Sequence, residues 1–145
     1  MTDIRPIDAS VLDEVAELER LCFSHPWSAS SLRLLTVPPN GGFVCFEGGR
    51  VVGYVGFLGV IDELEITNVA VHPDFRRRGF GEALLRRLID HANQTDAVRI
   101  TLDVRVSNRA AVALYEKMNF VGCGLRKNFY SSPREDATVM EWVPR

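Results

Sequence analysis

The run V-A-V-H-P-D-F-R-R-R-G-F-G-E-A-L-L, Val69 to Leu85, sets three arginines and two glycines between a strand-like stretch and a helix-like one. A chain that leaves a strand and opens a helix exposes backbone N–H groups. The helix dipole adds fractional positive charge there, so the junction favours an anion. Gly79 admits a backbone conformation closed to other residues and lets a ligand approach closely. Gly81, in the first turn, removes side-chain bulk above a bound phosphate. Arg76, Arg77 and Arg78 add positive charge at the rim. Three readings of this phosphate cradle compete. A P-loop needs G-x-x-x-x-G-K-[ST], and no Lys-Ser/Thr pair follows. A dinucleotide fingerprint needs G-x-G-x-x-G; Gly79 and Gly81 fit, the third position is Leu84, and Asp103 falls roughly where the ribose-binding acid would lie. A surface turn that happens to carry arginines accounts for the same residues.

The elements that would position this loop follow from periodicity. Asp3 to Ile7 reads as a strand. Ala9 to Cys22 carries Val11, Val15, Leu18 and Cys22 at helical spacing behind a cap at Asp8 or Ser10. Ser-His-Pro-Trp-Ser, Ser24 to Ser28, ends that helix, and Ser28 can cap a second, short one. Pro38 to Gly42 is a turn. Phe43 to Phe46 and Val51 to Val60 form a hairpin, and Glu63 to Val71 a further strand. Gly79 to Asn93 is a helix, Val98 to Val106 a strand, and Asn108 to Met118 a helix. Phe120 to Leu125 and Ala137 to Val143 close the chain as strands. The order β-α-α-β-β-β-α-β-α-β-β predicts one α/β domain over residues 1–145, a mixed sheet of about seven strands flanked by about four helices on both faces. The early strands should be antiparallel. The later crossovers favour parallel neighbours.

The loop R-x-x-G-x-G after a strand ending V-A-V-x-P resembles the acetyl-CoA loop of the GNAT N-acetyltransferases. The resemblance continues in L-D-V-R-V-S-N-R-A-A-V-A-L-Y-E-K-M-N-F (Leu102 to Phe120). C-F-S-H-P-W-S (Cys22 to Ser28), R-K-N-F-Y (Arg126 to Tyr130) and E-D-A-T-V-M (Glu135 to Met140) are similar to one subgroup. That subgroup acetylates protein N-terminal amines, and its best-known bacterial member takes the N-terminal alanine of ribosomal protein S18. The resemblance implies a GNAT fold and transfer of an acetyl group from acetyl-CoA to a primary amine, most simply a protein N-terminus.

It also implies roles. The backbone of Val69, Ala70 and Val71 would pair with the pantetheine arm. The N–H groups of Arg77, Arg78, Gly79, Phe80, Gly81 and Glu82 would hold the pyrophosphate. Asn108 caps a helix by its residue type, and in the subgroup the matching residue also contacts the cofactor. Tyr115 lies two turns further along the same helical face and matches the general acid that protonates the departing thiolate. Asp103 stands where the subgroup carries a glutamate, the proposed base. It keeps the carboxylate on a chain one methylene shorter, and Glu65 on the preceding strand is a reserve. Asp103 and Arg105 alternate away from the apolar side of their strand, so an ion pair explains them equally well. Trp27 and Tyr130 are candidates for an acceptor groove, with core packing as the plainer account. Asp62, Glu63 and Glu65 crowd one strand end and could attract a cationic acceptor.

The rest of the sequence bounds the function. With 46% hydrophobic and 25% charged residues, the chain can bury a core and stay soluble. A net charge of −2 gives no electrostatic case for nucleic acid. No apolar run suits a membrane span, and the start MTDIRPIDAS has no signal-peptide pattern. Cys22, Cys45 and Cys123, odd in number and widely spaced, fit reduced thiols in the cytoplasm. His25, His72 and His91 lack ligand spacing, so no metal is expected. The expected partners are acetyl-CoA and a protein or peptide N-terminus, with the enzyme a monomer or weak homodimer. The alternatives are a small-amine acetyltransferase, for a polyamine or aminoglycoside, and a non-catalytic acyl-CoA-binding module.

Overall fold

Asp8 turns the chain out of its first strand: its carboxylate accepts from the Ser10 N–H and caps a 3-10 turn over Ala9–Val11. The computed structural model describes residues 2–144. Its strands are β1 (Asp3–Pro6), β2 (Gly41–Glu47), β3 (Arg50–Val60), β4 (Glu63–Val71), β5 (Arg99–Arg105), β6 (Val121–Tyr130) and β7 (Glu135–Trp142). Its helices are α1 (Leu12–Cys22), α2 (Ala29–Leu32), α3 (Phe80–Gln94) and α4 (Arg109–Lys117). This is the expected order of elements, and Ser28 does cap α2, accepting from the Ser31 N–H at 3.1 Å.

The seven strands form one sheet in the order β1-β2-β3-β4-β5-β7-β6. β1 to β4 are an antiparallel meander. The expectation of parallel neighbours among the later strands holds only for β4 and β5. β7 inserts between β5 and β6, antiparallel to both. The β5-α4-β6 crossover therefore joins strands that are not neighbours.

Both faces carry a core. On one, Leu84, Leu85, Leu88 and Ala92 of α3 and Tyr115 of α4 pack with Ile100, Leu102 and Val104 of β5. On the other, Val15, Ala16 and Leu18 of α1 and Leu32 of α2 pack on Val44, Tyr54 and Ala70. Burying these side chains is the main drive to fold. β6 has no such cover, and nine of its ten residues are exposed. Among the described residues no helix is long and apolar enough to cross a membrane.

One irregularity prepares the site. Gly56 of β3 pairs with Asn68, but Phe57 pairs with Ile66, which leaves Thr67 as the extra residue of a bulge. Such a bulge bends its strand and re-aims the residues beyond it. On the other edge, β4 pairs with β5 only through Glu63–Arg99, Leu64–Ile100 and Glu65–Thr101. Past the bulge the two strands diverge. Val69, Ala70 and Val71 stay paired with β3 but have no strand partner toward β5.

Candidate active site

The wedge between β4 and β5 opens into a cleft of about 680 Å³, lined by Val69, Ala70 and Val71, by the glycine loop and by α4. Gly79, at φ 84°, is the N-cap of α3 in the left-handed conformation. A Cβ there would meet nothing within 4 Å, so backbone shape, and not space, requires glycine. Arg77 is left-handed too, at φ 63°, a costly conformation for a side-chain-bearing residue. Beyond these two kinks Gly79, Phe80, Gly81 and Glu82, at the start of α3, line the cleft, where a helix N-terminus favours an anion. Gly81 has a second reason to be small: a Cβ would lie 3.2 Å from Leu114 Cδ2 of α4.

The arginines part ways. Arg77 lines the cleft. Arg78 turns out of it, donating to Glu47 at 2.7 Å and stacking on Phe75 and Phe80, which leaves only its backbone for an anion. Arg76 Nε donates to the Val71 carbonyl at 3.1 Å, and the Cys22 thiol donates to the same oxygen at 3.4 Å.

Asn108 and Tyr115 both reach the cleft, as their shared helical face requires. Asn108 caps α4, its Oδ1 accepting from the Ala111 N–H at 3.2 Å. Tyr115 is buried and packs on Phe120 with ring centroids 5.8 Å apart. Burial, with Tyr130 adding to it, pushes its phenol up to about 12. A proton is therefore present on it at neutral pH.

Asp103 lies elsewhere. β5 buries Ile100, Leu102 and Val104 and turns Thr101, Asp103 and Arg105 to the opposite face. There Asp103 lines a smaller cleft of about 240 Å³ with Glu65, Arg99, Cys123 and Arg126. Arg126 Nε donates to Asp103 Oδ1 at 3.0 Å. Glu63 pairs with Arg99 at 2.7 Å, and Glu65 lines the same cleft. Asp103 and Tyr115 thus line different cavities.

Tyr130 lines neither cavity. Burial raises its phenol first, the negative charge of Asp103 raises it further, and Tyr130 in turn raises Tyr115. Arg105 holds Tyr130 in place. Its guanidinium lies 4.4 Å from the ring centroid, pairs with Glu135 at 3.1 Å, and donates to the Pro133 and Ser131 carbonyls of the β6–β7 turn. Trp27 is not in either cleft. Its ring packs partly buried against the α1 core, beside a shallow hollow with Pro26, Ser28 and Leu34.

Glu19 is a residue that sequence reading passed over. It is fully buried, and its carboxylate accepts from the Trp27 N–H at 2.8 Å, the Tyr54 hydroxyl at 2.6 Å and the Asn68 amide at 3.0 Å. The signal was present: Glu19 is four residues from Val15 and falls on the apolar stripe with Leu18 and Cys22. Among the described residues no group of His, Cys, Asp and Glu is arranged to hold a metal ion. A second large cleft, about 640 Å³ between Phe43, Phe57, Arg87 and His91, contains no part of the glycine loop.

A cleft floored by a strand edge and ended by a helix N-terminus suits a long, extended ligand that terminates in phosphates. It fits the acyl-coenzyme A that the resemblance of the glycine loop implies, and with it the acyltransferase class. Comparison with known proteins agrees, for residues 12–120 match the Acetyltransferase (GNAT) family, and the chain belongs to it. The [ribosomal protein bS18]-alanine N-acetyltransferase of Salmonella typhimurium is 46% identical over 142 residues, 97% of this chain and 96% of that one. The N-alpha-acetyltransferase RimI of Mycobacterium tuberculosis is 36% identical, covering 86% of this chain and 82% of its own. Among solved structures, the ribosomal-protein-S18-alanine N-acetyltransferase from Escherichia coli matches with a TM-score of 0.92 at 32% identity, covering 99% of this chain and 94% of that one. The chain is an acetyl-CoA-dependent N-acetyltransferase, and the P-loop and dinucleotide readings of its glycine loop fall away.

Proposed function

We propose that the acceptor is the N-terminal α-amine of a protein, with alanine first, as in ribosomal protein S18. The observation that carries this reading is the wedge: a protonated tyrosine on its α4 wall, and carboxylates on the opposite face of the sheet where an acceptor can approach. Support for the acceptor itself comes from the relatives that match almost end to end and are named for S18 alanine.

The α-amine suits these residues. Its pKa is near 8 against about 10.4 for lysine, so presenting it neutral at pH 7 costs about 1 kcal/mol against roughly 4–5. A carboxylate with a water relay can manage the first far more readily. In the proposed reaction Asp103 takes the amine proton through water, with Glu65 close enough to attract the cationic form. Acetyl-CoA supplies the acetyl thioester. Tyr115 gives its proton to the sulfur as the new C–N bond replaces the C–S bond. Val69, Ala70 and Val71 would hold the pantetheine arm, and the N–H groups from Arg77 to Glu82 the pyrophosphate, with Asn108 beside them. Trp27 and Tyr130 would flank the acceptor.

The test is intact-mass detection of acetyl transfer to peptides beginning Ala, Ser, Met or Gly, each free or blocked at the N-terminus, beside lysine and spermidine. One acetyl gained by free Ala-first peptides and none by the blocked ones is the expected outcome. Transfer to spermidine alone would replace the protein acceptor by a small amine.

A further inference from the structure

Glu19 is an ionisable side chain with no exposed surface, and it takes no part in the chemistry just described. A carboxylate is costly to bury, and none of its three donors is a cation. Its position on α1 would accept an apolar residue, since Val15, Leu18 and Cys22 on the same stripe pack against the sheet. The carboxylate earns its place through where its two oxygens point. Oε1 accepts from the backbone N–H of Trp27, in the loop between α1 and α2. Oε2 accepts from Tyr54 on β3 and from Asn68 on β4. Asn68 follows the bulged Thr67 and precedes Val69, so it sits where β4 begins to part from β5. One side chain thus ties the loop before α2 to the mouth of the wedge.

We propose that Glu19 is a positioning residue for acetyl transfer, holding the acceptor loop at Trp27 in register with strand β4 at Asn68. The proposal rests on the acceptor lying over this loop, as in the function proposed above. Without the carboxylate, the Trp27 N–H loses its fixed partner and residues 24–28 can swing independently of the strand. The glycine loop and the α3 N-terminus touch none of these atoms, so cofactor binding should survive. The network therefore separates acceptor placement from cofactor binding. A role in folding alone would not.

The test uses the full chain carrying Glu19→Gln, Asn68→Ser, or Glu19→Gln with Asn68→Asp. The double variant exchanges carboxylate and amide across the contact and restores a donor–acceptor pair. The acceptor is whichever amine the wild type acetylates, so failure of the peptide reading shows up in the wild type alone. Glu19→Gln should raise KM for the acceptor about tenfold, the size of one hydrogen bond to a charged group. The dissociation constant for acetyl-CoA should stay within about twofold. Amide exchange of residues 24–28 should quicken in Glu19→Gln, and the double variant should recover most of the acceptor KM. Asn68→Ser leaves Glu19 and its bond to Trp27 in place, should raise the acceptor KM, and keeps the test open if Glu19→Gln does not fold. Unchanged loop exchange in Glu19→Gln, an unmoved acceptor KM, or equal loss toward both substrates would overturn the proposal.

Discussion

Arg126 grips Asp103: its Nε lies 3.0 Å from Oδ1, across the β5-β7-β6 sheet, with the arginine more than half exposed and the aspartate mostly covered. The pair holds the Asp103 side chain where it lines the smaller cleft. It also competes with any amine for that carboxylate. Asp103 needs to be a carboxylate if it removes a proton, so Asp103→Asn should lower kcat by about a hundredfold or more. Acetyl-CoA affinity should not change, because the aspartate does not line the cofactor cleft. A fall of less than about threefold would move the base to Glu65, and Glu65→Gln is the variant to compare.

Tyr115 makes a prediction in pH. Its phenol is raised from the ordinary value of 10.0 to about 12, chiefly by burial. The unfolded chain then loses this proton before the folded one does. Stability from this group is fully present below about pH 10 and falls as pH rises toward 12, by roughly 2–3 kcal/mol in all. Urea unfolding from pH 9 to 12 should show a steeper loss in wild type than in Tyr115→Phe. The same variant should lose kcat by about a hundredfold at pH 7 while binding acetyl-CoA normally. Retained kcat would remove Tyr115 as the general acid.

The glycine loop sets backbone against charge. Arg78 is committed to Glu47 and Arg76 donates its Nε to Val71, while Arg77 lines the cleft with no such partner for its side chain among the described residues. If the loop N–H groups do most of the binding, Arg77→Ala should weaken acetyl-CoA by less than about fivefold. Gly79→Val forces a β-branched residue to φ 84° and should weaken it by more than tenfold, on the order of 1–2 kcal/mol for the backbone alone. Calorimetric affinities in the reverse order would make the guanidinium the principal ligand.

How much of this was legible follows from how local each feature is. Periodicity placed all seven strands and four helices, and the strand-loop-helix junction lines the cleft of about 680 Å³ proposed for the cofactor. The sequence pattern ends β6 at Leu125, whereas the strand runs to Tyr130. It is exposed on both faces, so it carries no alternation to read. The insertion of β7 beside β5 pairs residues from 32 (Arg105 and Ala137) to 42 (Ile100 and Trp142) positions apart and leaves no mark in either strand. The bulge at Thr67 shifts one residue in an otherwise regular run, yet it is what opens the wedge. Asp103 and Tyr115 were found through resemblance. That they line separate cavities is a matter of the sheet's two faces.

Asn108 carries two roles that can be told apart by choosing the substitution. Its Oδ1 caps α4 through the Ala111 N–H, and its side chain borders the cofactor cleft. Asn108→Ala removes both and should cost about 1 kcal/mol of stability, the usual value of a lost cap. Asn108→Ser keeps a capping oxygen on a shorter side chain that reaches less far into the cleft. Thermal unfolding should therefore be nearly normal in Asn108→Ser, while acetyl-CoA affinity falls as it does in Asn108→Ala. If affinity instead follows stability, intact in Ser and lost in Ala, the cap alone explains the residue, and Asn108 serves the site only by starting the helix that carries Tyr115.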